Sequence, residues 1–507
     1  MTAETHAVST AARGLSGVLK RGAAMSAVAL VLGQTITVIQ TLVLGRLLGP
    51  GEVGVFAAGT VAVGVVLVAQ SALAQALVQR EQDFEGAANT ALWATIATGL
   101  ALSLVVFSIS PLIGALFDSP RVGLIAAATA GVLFLHSCSN VPEAIIQRRF
   151  QFRRRLVIPP SVAFAFATVS VTFAVMGYGA WAMVIGTYAS VITALVLNWW
   201  LAGWRPFRGR ASLRTWREMA RFSFPLLIAD MAERGREMLE QVLIGRALGT
   251  TELGQYRYAY RIAYMPAQAV IQICGYVLYP AFARIAVDET RFRAAYLRAL
   301  GWVWFAVLPI GVSLAVTGQP LVVLLLGEAW APAGAATAAL AGLGVGTALT
   351  SVGWEAIKGS GRSGMLHWLT GLQLVLGLSL LLLLLPYGLV GIGIALSVSH
   401  LVVGFACAGI ARSVVGASYR DMVTCLGPPV VSATLALAVV FPLERHIIHA
   451  TTRGPLVGLV AIMGEFVLFG ALYLVVSRWV DRSRFQSIGA GSSRVLRRIR
   501  NTVKAES

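Results

Sequence analysis

The sequence predicts an all-α membrane protein of about fourteen transmembrane helices, at roughly 20 apolar residues per span. Three observations carry the prediction. The composition is 57% hydrophobic and 12% charged, with a mean hydropathy of +0.77, whereas soluble domains carry about 25% charged residues. Apolar windows of spanning length recur from one end of the chain to the other. Lys and Arg then alternate between the gaps: of 40, 31 fall in the two termini and every second loop, five in the opposite loops and four inside proposed spans. By the positive-inside rule this places both termini in the cytoplasm.

In order, the windows fall at 24–47, 53–78, 88–114, 121–141, 157–176 and 180–203. A second set follows at 219–248, 253–279, 296–318, 334–357, 364–385 and 388–411, and two more lie at 421–441 and 455–478. The expected organisation is a six-helix lobe over 1–203, a basic cytoplasmic linker over 204–218 and a second six-helix lobe over 219–411. Two additional helices over 412–478 and a basic tail over 479–507 complete it. The short basic segment with Arg13, Lys20 and Arg21 feeds directly into the first window, as a retained first helix does. The stretch Gln147 to Arg155 mixes aromatics with arginine, as expected of a segment lying on the membrane surface. The net charge of +18 is accounted for by loop arginines setting topology, so no nucleic-acid partner is expected.

The two sets of six are related by an internal repeat. Gly45, Arg46, Leu48, Gly49, Glu52 and Gly54 recur 200 residues later as Gly245, Arg246, Leu248, Gly249, Glu252 and Gly254. Each copy ends the first helix of its set and begins the second. Six is an even number, so both sets cross the bilayer in the same sense, the arrangement of two-lobed transporters with a central cleft. The turn itself reads as structural: a glycine stop, an outward arginine and an acid opening the next helix.

The seventh window places Asp230, Glu233, Arg234, Arg236, Glu237 and Glu240 at mid-span. At 100° per residue, all but Arg236 fall within an arc of about 120°. Facing lipid, each would cost about 2.5–3.5 kcal/mol, so the stripe is expected to face protein or water. The next window adds Arg257 and Arg261 among Tyr256, Tyr258, Tyr260 and Tyr264. In the first set, the positions 200 residues earlier include Gln34, Thr37 and Gln40, polar without charge. The bland alternative is a helix-locking set of ion pairs, with Asp230–Arg234 and Arg236–Glu240 at i,i+4 spacing. Lys358 sits where it could reach the cytoplasmic mouth of a cleft or snorkel to the membrane surface. His367 and His400 read as packed side chains.

Motifs for chemistry are missing. The three lysines, Lys20, Lys358 and Lys504, stand in no P-loop, and no HExxH or GxSxG occurs. Cys138, Cys274, Cys407 and Cys425 lack metal-ligand spacing. No enzyme activity, metal or cofactor is expected.

Several segments together resemble the polysaccharide (Wzx-like) flippases of the multidrug/oligosaccharidyl-lipid/polysaccharide exporter superfamily. They are Gly45–Gly54, Arg148–Arg153, Gly177–Ala182, Phe222–Leu226, Leu243–Gly254, Tyr258–Arg261 and Leu326–Pro332. The resemblance implies a bacterial inner-membrane protein that flips undecaprenyl-diphosphate-linked oligosaccharide repeat units by alternating access. It implies a cavity in which Arg234, Arg236, Arg257, Arg261 and Lys358 meet the diphosphate while Tyr260 and Tyr264 stack on sugars. Asp230, Glu233, Glu237 and Glu240 would exchange a proton or sodium ion, and Gln34, Thr37 and Gln40 would line the uncharged side. Polysaccharide polymerase and export proteins are the implied partners. Alternatives are a lipid II flippase or drug/cation antiporter of the same superfamily, or a non-transporting scaffold of a polysaccharide-synthesis complex.

Overall fold

The computed structural model describes residues 32–67, 77, 83–149, 156–206, 211–444 and 454–481. The N-terminal basic segment, most of the aromatic–arginine stretch, part of the linker, the C-terminal tail and the side chain of Asp230 lie outside the described residues. Among the described residues all regular structure is helical. Ten helical segments are long and apolar enough to cross a membrane. Large apolar side chains stand on the outside, including Trp200, Trp368, Leu383 and Val460, each more than two-thirds exposed. Water would not tolerate so much exposed apolar surface, and lipid does. This is a multi-span membrane protein.

The chain forms two compact units, 1–254 and 255–507. In the first, α1 covers Leu32–Leu67, followed by α2 (Phe84–Leu116), α3 (Pro120–Arg148), α4 (Ile158–Val175), α5 (Ala180–Ala202) and α6 (Leu213–Leu248). The next helix, α7 (Thr250–Ile285), carries the chain into the second unit. There α8 (Glu289–Leu326), α9 (Ala331–Ala339), α10 (Ala341–Gly359), α11 (Leu366–Leu384), α12 (Gly388–Val415), α13 (Tyr419–Leu443) and α14 (Pro455–Val480) follow.

Local chemistry explains the helix starts. Prolines in the first turn open α3, α4 and α14, where the missing N–H has no helical partner in any case. Ser418 and Asp421 form a reciprocal capping box on α13. Asp288 caps α8 by accepting from the Arg291 amide.

In the first unit α2 packs on α3 and α6, and α5 on α3 and α4. Ala87, Leu92, Ile145, Trp204 and Met219 form one of its cores. The second unit has one extended core containing Phe282, Tyr296, Trp304, Leu349, Cys407 and Tyr473. The pair α13 and α14 packs against α8, pinned where Trp304 Nε1 donates to the Leu426 carbonyl (3.0 Å) and the Tyr473 hydroxyl to the Phe305 carbonyl (2.9 Å).

The repeated turn is visible in both copies. Gly49 (φ +70°) interrupts α1 and Gly249 (φ +103°) separates α6 from α7, conformations that favour glycine. Within the first unit the two turns touch at glycines. A methyl on Gly54 would lie 1.8 Å from the Thr250 carbonyl oxygen, and one on Gly254 would lie 2.2 Å from that of Pro50. Glu52 accepts both Nη2 contacts from Arg121 (2.9 and 2.8 Å) and the Ala180 amide (2.7 Å), tying α1 to α3 and to the start of α5. Arg246 pairs with Asp118. The turn residues are thus occupied in holding helices together.

Candidate functional site

The expected site residues fall on four elements, and their surroundings differ. On α1, Gln34 is exposed while Thr37 and Gln40 are half-buried. The Thr37 hydroxyl donates to the Gly33 carbonyl of its own helix (2.8 Å), so its donor is already engaged.

On α6 the charges form an ion-pair network with two faces. Arg236 and Glu240 are buried, at 5% and 3% exposure. Arg236 donates to Glu240, and through its other terminal nitrogen to Glu233 at 2.7 Å. Arg234 and Glu237 pair separately at 2.7 Å on a more exposed face. The arginine that the helical wheel sets outside the arc is therefore the one most enclosed. A wheel gives angular position on one helix and says nothing of which neighbour covers that angle. The i,i+4 pair Arg236–Glu240 forms, while Arg234 takes Glu237 at i+3.

On α7 the pattern is different. Arg257 and Arg261, one turn apart, are both exposed. Among the described residues no carboxylate lies within ion-pair distance of either. Tyr256, Tyr260 and Tyr264 run alongside as a ladder, with ring centroids 5.8 and 5.6 Å apart. Tyr258 turns the other way and stacks on buried Trp330 at 4.4 Å. Gln255 fixes the same region by donating to the Ala329 carbonyl (2.8 Å) and accepting from the Ala333 amide (3.0 Å). The helix is thus held on its buried side by Tyr258 and Gln255. Two cations and the half-buried Tyr260 and Tyr264 are left on its accessible side.

On α10, Lys358 lies 3.7 Å from Glu355 and 5.7 Å from the centre of the Trp354 ring. Its charge is already shared with a neighbouring acid.

One further acid lies apart from these four elements. Glu465, a lone acid within apolar α14, is 1% exposed, and its carboxyl oxygens meet no hydrogen-bond partner among the described residues. The signal was visible: an acid flanked by a run of apolar residues in a spanning helix.

The family model described as "Polysaccharide biosynthesis protein" matches residues 43–335. The chain belongs to this family. Among its curated relatives, the succinoglycan biosynthesis transport protein ExoT of Rhizobium meliloti is 25% identical, over 64% of this chain and 66% of that protein. The lipopolysaccharide biosynthesis protein WzxC of Escherichia coli is 24% identical, over 61% and 63% respectively. The match thus spans somewhat under two thirds of each relative's length. Among solved structures, the lipid II flippase MurJ superposes with a TM-score of 0.73 at 12% identity, over 90% of this chain and 98% of that one. A multidrug resistance MATE family transporter gives 0.62 at 15% identity, over 77% and 98%. At these identities the likeness establishes the fold.

Proposed function

We propose that the protein translocates undecaprenyl-diphosphate-linked oligosaccharide repeat units across the bacterial inner membrane, acting as a transporter and not as an enzyme. The observation that carries this reading is the accessible face of α7: two exposed arginines one turn apart, no carboxylate within ion-pair distance among the described residues, and a tyrosine ladder beside them. Family membership and the transport protein among the relatives support it. A charged side chain facing mid-bilayer lipid costs about 2.5–3.5 kcal/mol, so two such arginines favour a water-filled passage over lipid. There a pair of guanidinium groups matches the two phosphates of a diphosphate, each capable of bidentate hydrogen bonding. The tyrosine faces suit sugar rings.

In this reading the chain crosses the membrane about fourteen times, with both termini cytoplasmic. Lobes 1–203 and 219–411, joined by the linker 204–218, rock about a central cleft. Residues 412–478 add two helices and 479–507 a basic tail. Arg257, Arg261, Tyr260 and Tyr264 hold the head group, with Lys358 toward the cytoplasmic mouth. Gln34, Thr37 and Gln40 offer the uncharged side. Arg234, Glu233 and Glu237, with Asp230, border the passage, whereas Arg236 and Glu240 hold their helix in place. The buried pairing on α6 favours this division of labour over a purely ion-coupling role for the acids. A proton or sodium ion would drive the cycle, and polymerase and export proteins would receive the product.

The test is the double substitution Arg257→Ala/Arg261→Ala in a producing cell, with membrane abundance confirmed. Lost surface polysaccharide together with accumulated lipid-linked intermediate supports the anion site. Normal polymer removes it. Lost polymer without accumulated intermediate points to the scaffold role.

A further inference from the structure

We propose that the start of α6 carries a binding site for an anionic glycerophospholipid, its head group held by Arg214, Arg217 and Arg221 and one acyl chain lying along Phe224, Ile228 and Met231. These six residues follow one another at steps of three and four, which at 100° per residue keeps them within an arc of about 100°. All six are exposed. One stripe of a single helix therefore runs from three cations to three apolar side chains.

Local structure fixes that stripe outward. Ser212 caps α6 by accepting from the Thr215 amide (3.4 Å), and its own amide donates to the Thr90 hydroxyl of α2 (3.1 Å). Thr215 and Met219 are buried, Met219 in the core that holds Ala87 and Leu92 of α2. With this face pinned, the opposite one stays on the outside. An open groove of about 470 Å³ lies there, lined by the three arginines, Glu218, Leu213 and Trp216. Three cations against one acid give it a net positive charge. Arg214 lies 3.3 Å from Glu218, but both side chains are exposed, so exchanging that carboxylate for a phosphate costs little.

The apolar side chains select the kind of anion. Leu213 is 84% exposed beside the arginines, and Trp216 is exposed as well. Charges that only set topology need neither, and a small soluble anion gains nothing from them. A head group continued by glycerol and an acyl chain meets both. Tryptophan is enriched where head groups meet hydrocarbon, and basic clusters at that level attract anionic lipids. The dimensions agree. From Phe224 to Met231 the helix rises about 10 Å, within the roughly 15 Å of hydrocarbon in one leaflet. The charges of α6 resume at Glu233, beyond the reach of this apolar stretch. A lipid held here anchors the first turns of α6 to the membrane surface. The site is independent of which cargo the protein carries.

The experiment places the full chain in phosphatidylcholine nanodiscs with a trace of phosphatidylglycerol that carries a diazirine in one acyl chain. Peptide mass spectrometry then maps the photolabel. Label is expected within 224–231, and unlabelled phosphatidylglycerol should compete it away. Phosphatidylcholine with the same diazirine should label this segment roughly 30-fold less, and Arg217→Gln/Arg221→Gln should lower phosphatidylglycerol labelling by a similar factor. Arg217→Lys/Arg221→Lys keeps the charge and should keep most of the label. Equal labelling by the two lipids overturns the proposal, and so does labelling unmoved by the glutamine pair. Competition by undecaprenyl diphosphate but not by phosphatidylglycerol overturns it in favour of a cargo-docking surface. Competition by inorganic phosphate alone overturns it in favour of a soluble-anion site. The wild-type comparison of the two lipids decides on its own if a variant fails to fold.

Discussion

Helices α6 and α7 meet at one glycine turn and hold their arginines in opposite ways. On α6 Arg234 and Arg236 each pair with an acid within one turn, and the innermost pair is buried. On α7 Arg257 and Arg261 are exposed, with no carboxylate within ion-pair distance among the described residues. An arginine enclosed with its carboxylate stabilises or specifies a fold, and its charge is spent internally. Left accessible beside aromatic rings, it keeps its charge for a ligand. The same residue type thus divides into framework and recognition by its neighbours, and the predictions below probe that division.

The largest effect is expected from removing the recognition pair. A hydrogen bond to a charged group contributes about 1.5–3 kcal/mol, and each 1.4 kcal/mol is about tenfold. Arg257→Ala/Arg261→Ala should therefore lower transport by roughly 100-fold or more, with little change in thermal stability in detergent. A comparable loss of stability would blur the distinction between the two helices. Next comes the framework. Glu240→Ala leaves Arg236 enclosed without its nearer acid and should destabilise the protein by about 3–5 kcal/mol. Arg236→Met/Glu240→Leu should recover most of that loss in the same unfolding assay. If the double replacement transports normally, the buried pair belongs to the framework.

The glycine contact ranks third. Gly254→Ala puts a methyl 2.2 Å from the Pro50 carbonyl oxygen, and the forced backbone shift should cost about 1–3 kcal/mol. Thermal unfolding measures it, and an unchanged midpoint would show that the turns do not press on each other. The exposed pair should matter least on α6: Arg234→Gln is expected to change stability by under about 1 kcal/mol. The smallest effect concerns Asp288, outside the apolar core of α8. Hydrogen bonds from the Arg291 amide and the Thr290 hydroxyl hold its carboxyl below the usual aspartate range. A lowered value means the cap stabilises above the ordinary carboxylate pKa and fades as pH falls through the folded one. Asp288→Asn keeps a capping oxygen and should flatten this shallow acid dependence in a pH-resolved melt.

Much of the fold is legible in the sequence, because lipid forces backbone hydrogen bonds to close within each apolar segment. Helix ends are less so. The window 296–318 lies inside a helix that runs Glu289–Leu326, since helices extend past the apolar stretch once their caps permit. The window 334–357 covers α9 and α10, which break at Leu340. Helices α6 and α7 carry charges inside their apolar windows, yet each is an unbroken helix of 36 residues. Their charges come in helix-compatible pairs and ladders. The site is legible as a set of residues and illegible as an arrangement. Nothing in the spacing told that Arg236 would be enclosed while Arg234, two residues earlier, stayed accessible, because the covering neighbours are distant in sequence. Glu465 stands out in the sequence as one acid in an apolar run, but its burial depends on neighbours distant in sequence.

The account turns on whether the arginine face of α7 is wet. The direct measurement is thiol accessibility in membranes. Arg257→Cys and Arg261→Cys are introduced singly and labelled with a charged, membrane-impermeant reagent. The native cysteines give a low background, since Cys274, Cys407 and Cys425 are buried and Cys138 partly so. The account predicts rapid labelling at both positions, slowed by an added polyprenyl diphosphate. Labelling by a lipid-soluble reagent alone, or by none, would contradict it.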